Sequence, residues 1–183
     1  MSLTLTSNAP IPYVSTLQSL VHQAVDEVRW LVIAHRDPLI MRALRKGIGR
    51  ETMIIVDWPE ENELTQSSDL VKAIQWAIQE KRIPNIVLLE HSGSSGVKSS
   101  YDTGTRLGIL AGTSRAIDQN REAQIQFSKV VKMLRQSSEI QDCVDNSNAS
   151  LHFLFFRAID GAFLTFDEKC GEFLPVTNES PHD

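Results

Sequence analysis

The chain has 183 residues, of which 42% are hydrophobic and 22% charged, and its formal net charge is −5. That length and composition are typical of one globular domain with a sizeable core. The negative charge argues against a nucleic-acid binder, because contact with phosphates needs a basic face. The sequence holds no apolar run of about 18 residues, so we expect no membrane span.

The cysteines and the first residues predict a compartment. Cys143 and Cys170 are far apart in the chain and show no C-x-x-C spacing, so we expect two unpaired thiols in a reducing environment. Residues 1–12 are polar and lack the charged and apolar regions of a secretory signal. We therefore expect a cytoplasmic protein.

The elements predicted along the chain alternate between helices and strands, between a polar arm at 1–14 and a polar tail at 177–183. In order, they are a helix from Ser15 or Thr16 to Val28, a strand at Trp30–Ala34, a helix at Pro38–Lys46, a strand at Met53–Val56, a helix from Ser68 or Asp69 to Arg82, a strand at Ile86–Leu89, a loop with short helical turns at 92–116, a helix at Ala123–Leu134, a short helix at Ile140–Val144, a strand at Leu151–Phe156, and a hairpin of Ala162–Phe166 and Glu172–Val176. This order predicts an α/β fold for residues 15–176: a mostly parallel sheet of four to five strands flanked by helices, with a C-terminal antiparallel addition.

Polar side chains that carry chemistry follow two of these strands. His35 and Asp37 come after the strand at Trp30–Ala34, and Glu90 and His91 after the strand at Ile86–Leu89. In open α/β sheets, ligands bind at the carboxyl ends of the strands. The sequence therefore predicts that His35, Asp37 and His91 share one edge of the sheet.

The residues at these strand ends and the order of the elements resemble the β-class carbonic anhydrases. The resemblance runs over roughly residues 15–176, and the stretches that carry it are Ile33–Leu39, Leu89–Gly96, Asp69–Ile74, Asp160–Asp167 and Gly171–Phe173. It implies the fold of that family. It also implies a homo-oligomer, a dimer or a higher even assembly, because the family's site lies near a subunit interface.

The family binds zinc through two cysteine thiolates and one histidine, beside an aspartate that pairs with an arginine. Matched position by position, His35 stands at the first cysteine, Asp37 at the aspartate, Leu39 at the arginine, His91 at the histidine and Ser94 at the second cysteine. One ligand is kept, one is exchanged for another good zinc ligand, and one becomes a hydroxyl that binds zinc poorly.

Two interpretations of this altered site follow. In one, Asp37 loses its arginine and joins His35 and His91 as a zinc ligand, leaving an open position for a water that becomes the nucleophile for carbon dioxide. In the other, the site is a relic with activity reduced or lost, and an oligomeric scaffold or a pocket for bicarbonate or another small anion remains. Glu90, where the family prefers glycine, is a further acidic ligand or a carboxylate that closes the pocket.

Other roles for the same residues stay open. Asp37 directly precedes Pro38 and suits a helix N-cap, whereas His35 and His91 are also plausible as hydrogen-bonded histidines at strand ends. Outside the family, the loop that follows His91 is a candidate backbone anion nest of a nucleotide or phosphate binder. Its loop residues are Ser92, Ser94 and Ser95, flanked by glycines. Five aromatic residues are predicted to lie in the core or a subunit interface: Trp58, Phe153, Phe155, Phe156 and Phe163.

Overall fold

A computed structural model of the chain describes residues 28–35, 37–47, 53–58, 68–92, 106–158 and 160–176. It describes the backbone alone at residues 39, 43, 45–47, 68 and 106–116. The predicted arm at 1–14, the helix predicted up to Val28 and the tail at 177–183 lie outside the described residues, apart from Val28 itself. Ser94 and Ser95 lie outside them too, and so do the contacts of the Leu39 side chain.

The described strands form one sheet. They are β1 (Trp30–Ala34), β2 (Met53–Val56), β3 (Asn85–His91), β4 (Ser150–Arg157), β5 (Ala162–Asp167) and β6 (Glu172–Pro175), in the spatial order β2-β1-β3-β4-β5-β6. Strands β1 to β4 pair in parallel, and the hairpin of β5 and β6 continues the sheet antiparallel. The predicted parallel sheet with a C-terminal antiparallel addition is confirmed.

Helices cover both faces of this sheet. They are α1 (Pro38–Gly47), α2 (Ser68–Gln79), α3 (Arg106–Gln136) and α4 (Ser138–Ser147). The larger apolar cluster packs α2, α3 and α4 against one face, where Leu88 and Phe155 are buried. The smaller cluster packs α1 against the other face, around Val87. Because both faces are covered, β1 and β3 are continuous apolar runs rather than alternating ones.

The five aromatic residues predicted for the core or an interface lie mostly in the core. Trp58, Phe153, Phe155 and Phe156 are buried, and Phe163 is half-buried against the smaller cluster. Among the described helices, none is both long enough and apolar enough to span a lipid bilayer.

The start of α3 and the end of α2 are among the helix boundaries that differ from the predictions. Helix α3 begins at Arg106, within the segment that the sequence predicts as a loop because of its glycines. A glycine inside a helix costs only about 1 kcal/mol, which a long helix tolerates. Helix α2 ends at Gln79 and does not reach Arg82, whose φ of 54° is left-handed. The Ile83 N–H donates back to the Ala77 carbonyl oxygen at 3.0 Å, so the chain reverses there.

Candidate functional site

The carboxyl ends of β1 and β3 bring the two predicted histidines together. These strands are adjacent and parallel, with Ala34 level with Leu89, so His35 follows β1 beside the last residues of β3. The ring centroids of His35 and His91 are 5.7 Å apart, and the rings meet edge to face at 77°. The prediction that topology unites these histidines at one edge therefore agrees with the structure.

His91 is a buried imidazole at this edge. Its residue is 8% exposed, whereas the His35 side chain is 41% exposed. Burial, the largest effect, lowers the pKa of His91 below its ordinary value; nearby His35 lowers it further, while the Glu90 and Asp37 carboxylates oppose the shift. His91 is therefore biased towards the neutral imidazole, the form that accepts a hydrogen bond or binds a metal.

Asp37 lies at the turn between β1 and α1. Its backbone N–H donates to the His35 carbonyl oxygen at 2.8 Å, and its own carbonyl oxygen accepts from the Met41 N–H at 2.9 Å. The second bond is the first of helix α1, so Asp37 occupies the N-cap position. It is also close enough to His91 to act on that imidazole electrostatically. The helix N-cap role and the metal-ligand role considered for Asp37 therefore both place it at the start of α1, next to His91.

Glu90 points into the site from β3. Its Oε1 accepts the backbone N–H of His91 at 2.7 Å, and its Oε2 lies 3.7 Å from Nε2 of His35. Glu90 is level with Phe155 of β4, on the sheet face that carries the larger apolar cluster, and its side chain is 16% exposed. The carboxylate is thereby fixed between the main chain of one histidine and the ring of the other.

Trp58 forms a wall of the site, a role that was not predicted from the sequence. The residue follows β2, and its indole N–H donates to the carbonyl oxygen of Leu89 at 2.9 Å, across the end of β1. Its ring lies 6.4 Å from that of His35 and meets Phe127 of α3 edge to face at 5.9 Å. The sequence feature that points to this role is the position of Trp58 just after β2, a third strand of the parallel sheet.

Ser92 attaches the start of the following loop to β4. Its N–H donates to the Phe156 carbonyl oxygen at 3.2 Å, and its hydroxyl oxygen accepts the N–H of Ala158 at 3.0 Å. These bonds extend the pairing of β3 and β4 past His91. Ser92 thus bonds to the main chain after β4 through both its N–H and its hydroxyl, whereas Ser94 and Ser95 are outside the described residues.

Both cysteines of the chain lie at the opposite end of the sheet. Cys143 is in α4 and bonds to Gln79, the last residue of α2, near where the chain enters β3 at its amino end. Cys170 is in the turn after β5, and β5 runs antiparallel to β4, so that turn lies beyond the amino end of β4. Neither thiol can reach His35 or His91 within one chain.

Zinc requires ligands at a fixed spacing and, in catalytic sites, three protein ligands with an open fourth position. Two imidazoles bound to one zinc through bonds of about 2.0–2.1 Å at a tetrahedral angle have ring centroids roughly 5 Å apart, close to the His35–His91 spacing. However, within the described stretches no three side chains of His, Cys, Asp or Glu group closely enough to hold a metal. The described residues thus supply two suitable donors but not a complete ligand set.

Comparison of the sequence with models of known protein families and with curated proteins gives no match. Solved structures do match. The β-carbonic anhydrase CcaA aligns with 90% of this chain and 92% of its own, at 15% identity and a TM-score of 0.52. The β-carbonic anhydrase CafA of Aspergillus fumigatus aligns with 84% of this chain and 82% of its own, at 16% identity and a TM-score of 0.52. The chain therefore has the β-carbonic anhydrase fold, as the sequence predicted.

A third match is to tetrameric β-carbonic anhydrases of Sordaria macrospora, with 17% identity, a TM-score of 0.48, and coverage of 87% of this chain and 85% of the other. At such identities, the likeness concerns the fold.

Proposed function

We propose that this chain is a β-carbonic-anhydrase-related protein with a degenerate metal site, whose carbon dioxide hydration is reduced or lost. The observation that carries the proposal is the position of the two cysteines. A site built on thiolates needs them at the carboxyl ends of β1 and β3, and both Cys143 and Cys170 are at the other end of the sheet. His35 and Ser94 stand where the family has its thiolates.

The electrostatics of the site support the same proposal. The described carboxylates Asp37, Asp57 and Glu90 all lie at the carboxyl ends of parallel strands, and burial keeps His91 biased towards neutrality. Hydration of carbon dioxide yields an anion, bicarbonate, which carboxylates repel. An edge of this composition is a poor place to form and release that product.

A second candidate is metal-dependent hydration through His35, His91 and Asp37. The edge-to-face spacing of the two imidazoles favours it, and the lowered pKa of His91 leaves a nitrogen lone pair for a cation. These residues would hold the metal, and a zinc bound there would supply a water of lowered pKa. The role of this chain's residues would be to hold the cation in place.

The oligomeric state belongs to the proposal as well. We expect a homodimer or a higher assembly, with an oligomeric scaffold as the surviving role, since the carboxylates at the strand ends disfavour a small-anion pocket. Light scattering coupled to size exclusion tests the assembly, and a monomer at micromolar concentration would contradict it.

Elemental analysis and a hydration assay on the same untagged preparations, after zinc supplementation, test the function. The parent is compared with His35→Ala/His91→Ala and with the control Cys143→Ser/Cys170→Ser. The proposal predicts no stoichiometric zinc in any of the three, and hydration that is absent or weak and the same in the parent and the histidine variant. About one zinc per chain in the parent and in the cysteine variant, none in the histidine variant, and catalysed hydration would replace the proposal with the second candidate.

A further inference from the structure

The Glu90 carboxylate lies next to two groups that bind anions in proteins, a backbone N–H and an imidazole ring. Strand alternation puts its side chain on the face of Leu88 and Phe155, towards His35, whereas His91 is level with Phe156 on the opposite face. Of the two groups of β3 next to the ring of His35, the His91 ring meets it edge to face, and the Glu90 carboxylate approaches it from the face of the larger apolar cluster. Its direction follows from the pleat and from the pairing of β3 with β4.

Both oxygens of this carboxylate have partners. Oε1 accepts the His91 backbone N–H at 2.7 Å, and Oε2 is 3.7 Å from Nε2 of His35, within ion-pair range when that ring is protonated. With 16% of the side chain exposed, the carboxylate has given up most of its hydration for these contacts. A half-buried carboxylate with such partners is held in place.

The same two groups are what a small oxyanion would need. A planar carboxylate-like anion binds protein through a backbone N–H and a cationic or N–H-donating side chain. The His91 N–H and the His35 ring are of those types, and Glu90 already contacts both. Trp58, whose ring lies 6.4 Å from that of His35, closes the apolar side of the same space.

We propose that Glu90 is an internal anion: its carboxylate occupies the oxyanion position between the His91 N–H and the His35 ring, and so excludes formate, bicarbonate and similar small anions from this site. This inference rests on the proposed function and deepens it, since it names the group that keeps bicarbonate away. Glu90 acts by occupying the donors and by its charge, so removing either property opens the site.

The test compares anion binding by the full chain and by Glu90→Ala, Glu90→Gln and Glu90→Asp. Sodium formate and sodium bicarbonate are titrated separately at constant ionic strength and pH, and the amide chemical shifts of His91 and Ser92 are followed by NMR. Glu168→Gln is the matched control, because it removes one carboxylate from an exposed site where Glu168 pairs with Arg135. Thermal unfolding verifies that each variant is folded.

Glu90→Ala is expected to bind formate and bicarbonate at least on the order of tenfold more tightly than the parent, because juxtaposed like charges oppose binding and the donors become available. Glu90→Gln, which loses only the charge, gains less; Glu90→Asp, which keeps the charge but is one methylene too short to reach both donors, also gains less; Glu168→Gln stays like the parent. Glu90→Gln is nearly isosteric, so it carries the test if the alanine variant does not fold.

Two results would overturn the inference: parent affinity for both anions equal to that of the alanine and glutamine variants, or a stoichiometric zinc in the parent that Glu90→Gln loses. The latter would make Glu90 a metal ligand. Zinc-dependent hydration by the parent that His35→Ala/His91→Ala loses is a separate readout and would refute the proposed function, even if the Glu90 variants gained anion affinity.

Discussion

Replacing Trp58 by phenylalanine tests whether the indole joins three strand ends at the site. Trp58 is 6% exposed and its N–H donates to the Leu89 carbonyl oxygen at 2.9 Å, so the side chain links the end of β2 to β3 across β1. Phenylalanine keeps an aromatic ring against His35 and Phe127 but has no donor. The substitution therefore removes the hydrogen bond and part of the packing.

The expected cost is the sum of two effects. A buried acceptor left without its donor costs about 1–3 kcal/mol. The smaller ring buries less apolar surface, equivalent to roughly one methylene or about 1 kcal/mol. The free energy of unfolding should thus fall by about 2–4 kcal/mol. At about 2–4 °C per kcal/mol for a chain of this size, the melting temperature should fall by roughly 4–16 °C.

Urea unfolding followed by circular dichroism measures this change, with Trp76→Phe as the matched control. Trp76 lies half-buried on α2, with the Lys81 ammonium 5.5 Å from its ring centroid, a contact that phenylalanine retains in weaker form. Its substitution should cost no more than about 1 kcal/mol. If Trp58→Phe changed stability by less than about 0.5 kcal/mol, or no more than the control, the indole bond would not be holding the strand ends together.

Two further outcomes are expected. Burial, the largest effect at both sites, lowers the pKa of His91 and of His152, so below about pH 6.5 these two sites bind more protons in the unfolded chain than in the folded one. The free energy of unfolding should therefore fall as the pH drops from 7 to 5. In urea titrations, His152→Gln should reduce the slope of this fall, and an unchanged slope would contradict the role given to His152. Gly171→Ala should lower the free energy of unfolding by about 1–2 kcal/mol, because Gly171 has a φ of 72° that alanine adopts only with strain. An added Cβ would meet no atom within 4 Å, so backbone strain is the only cost expected. Thermal unfolding measures this change in stability, and an unchanged stability would mean that the turn relaxes.

Much of the fold follows from local patterns in the sequence. The strands β1 and β2 have the predicted bounds because short apolar runs, bounded by polar residues and proline, leave little choice. The hairpin of β5 and β6 follows from a turn whose glycine, Gly171, has the left-handed φ that such a turn requires. Alternation of strands and helices then dictates parallel pairing, which the register of β1, β3 and β4 shows.

The start of α3 could not be predicted in the same way. Gly108, Gly112 and the neighbouring hydroxyl residues favour loops individually, and a pattern-based prediction weighs them locally. Packing of the amphipathic part of the helix, where Phe127 and Val131 are buried against the sheet, offsets the unfavourable free energy of helix nucleation. Once a helix exists, extension through two glycines costs far less than starting a new one.

The sequence predicts which of the candidate residues share this edge of the sheet, but not the geometry in which they meet. Topology alone places His35 and His91 at one edge, since parallel neighbours end together. The direction of Glu90 was not predictable, because β3 is apolar on both faces and no alternation marks which face residue 90 takes. Only its pairing with Phe155 settles that side.

The direction of that one carboxylate matters because zinc and an internal anion make opposite demands on His35. A metal needs the nitrogen lone pair of the neutral ring, whereas an anion is bound best by its protonated N–H. Glu90 Oε2, 3.7 Å from Nε2 of His35, fills the space next to that nitrogen. At the position that matches the family's first cysteine, histidine keeps a ligand type in the sequence, and we propose that the neighbouring carboxylate opposes its use as a ligand.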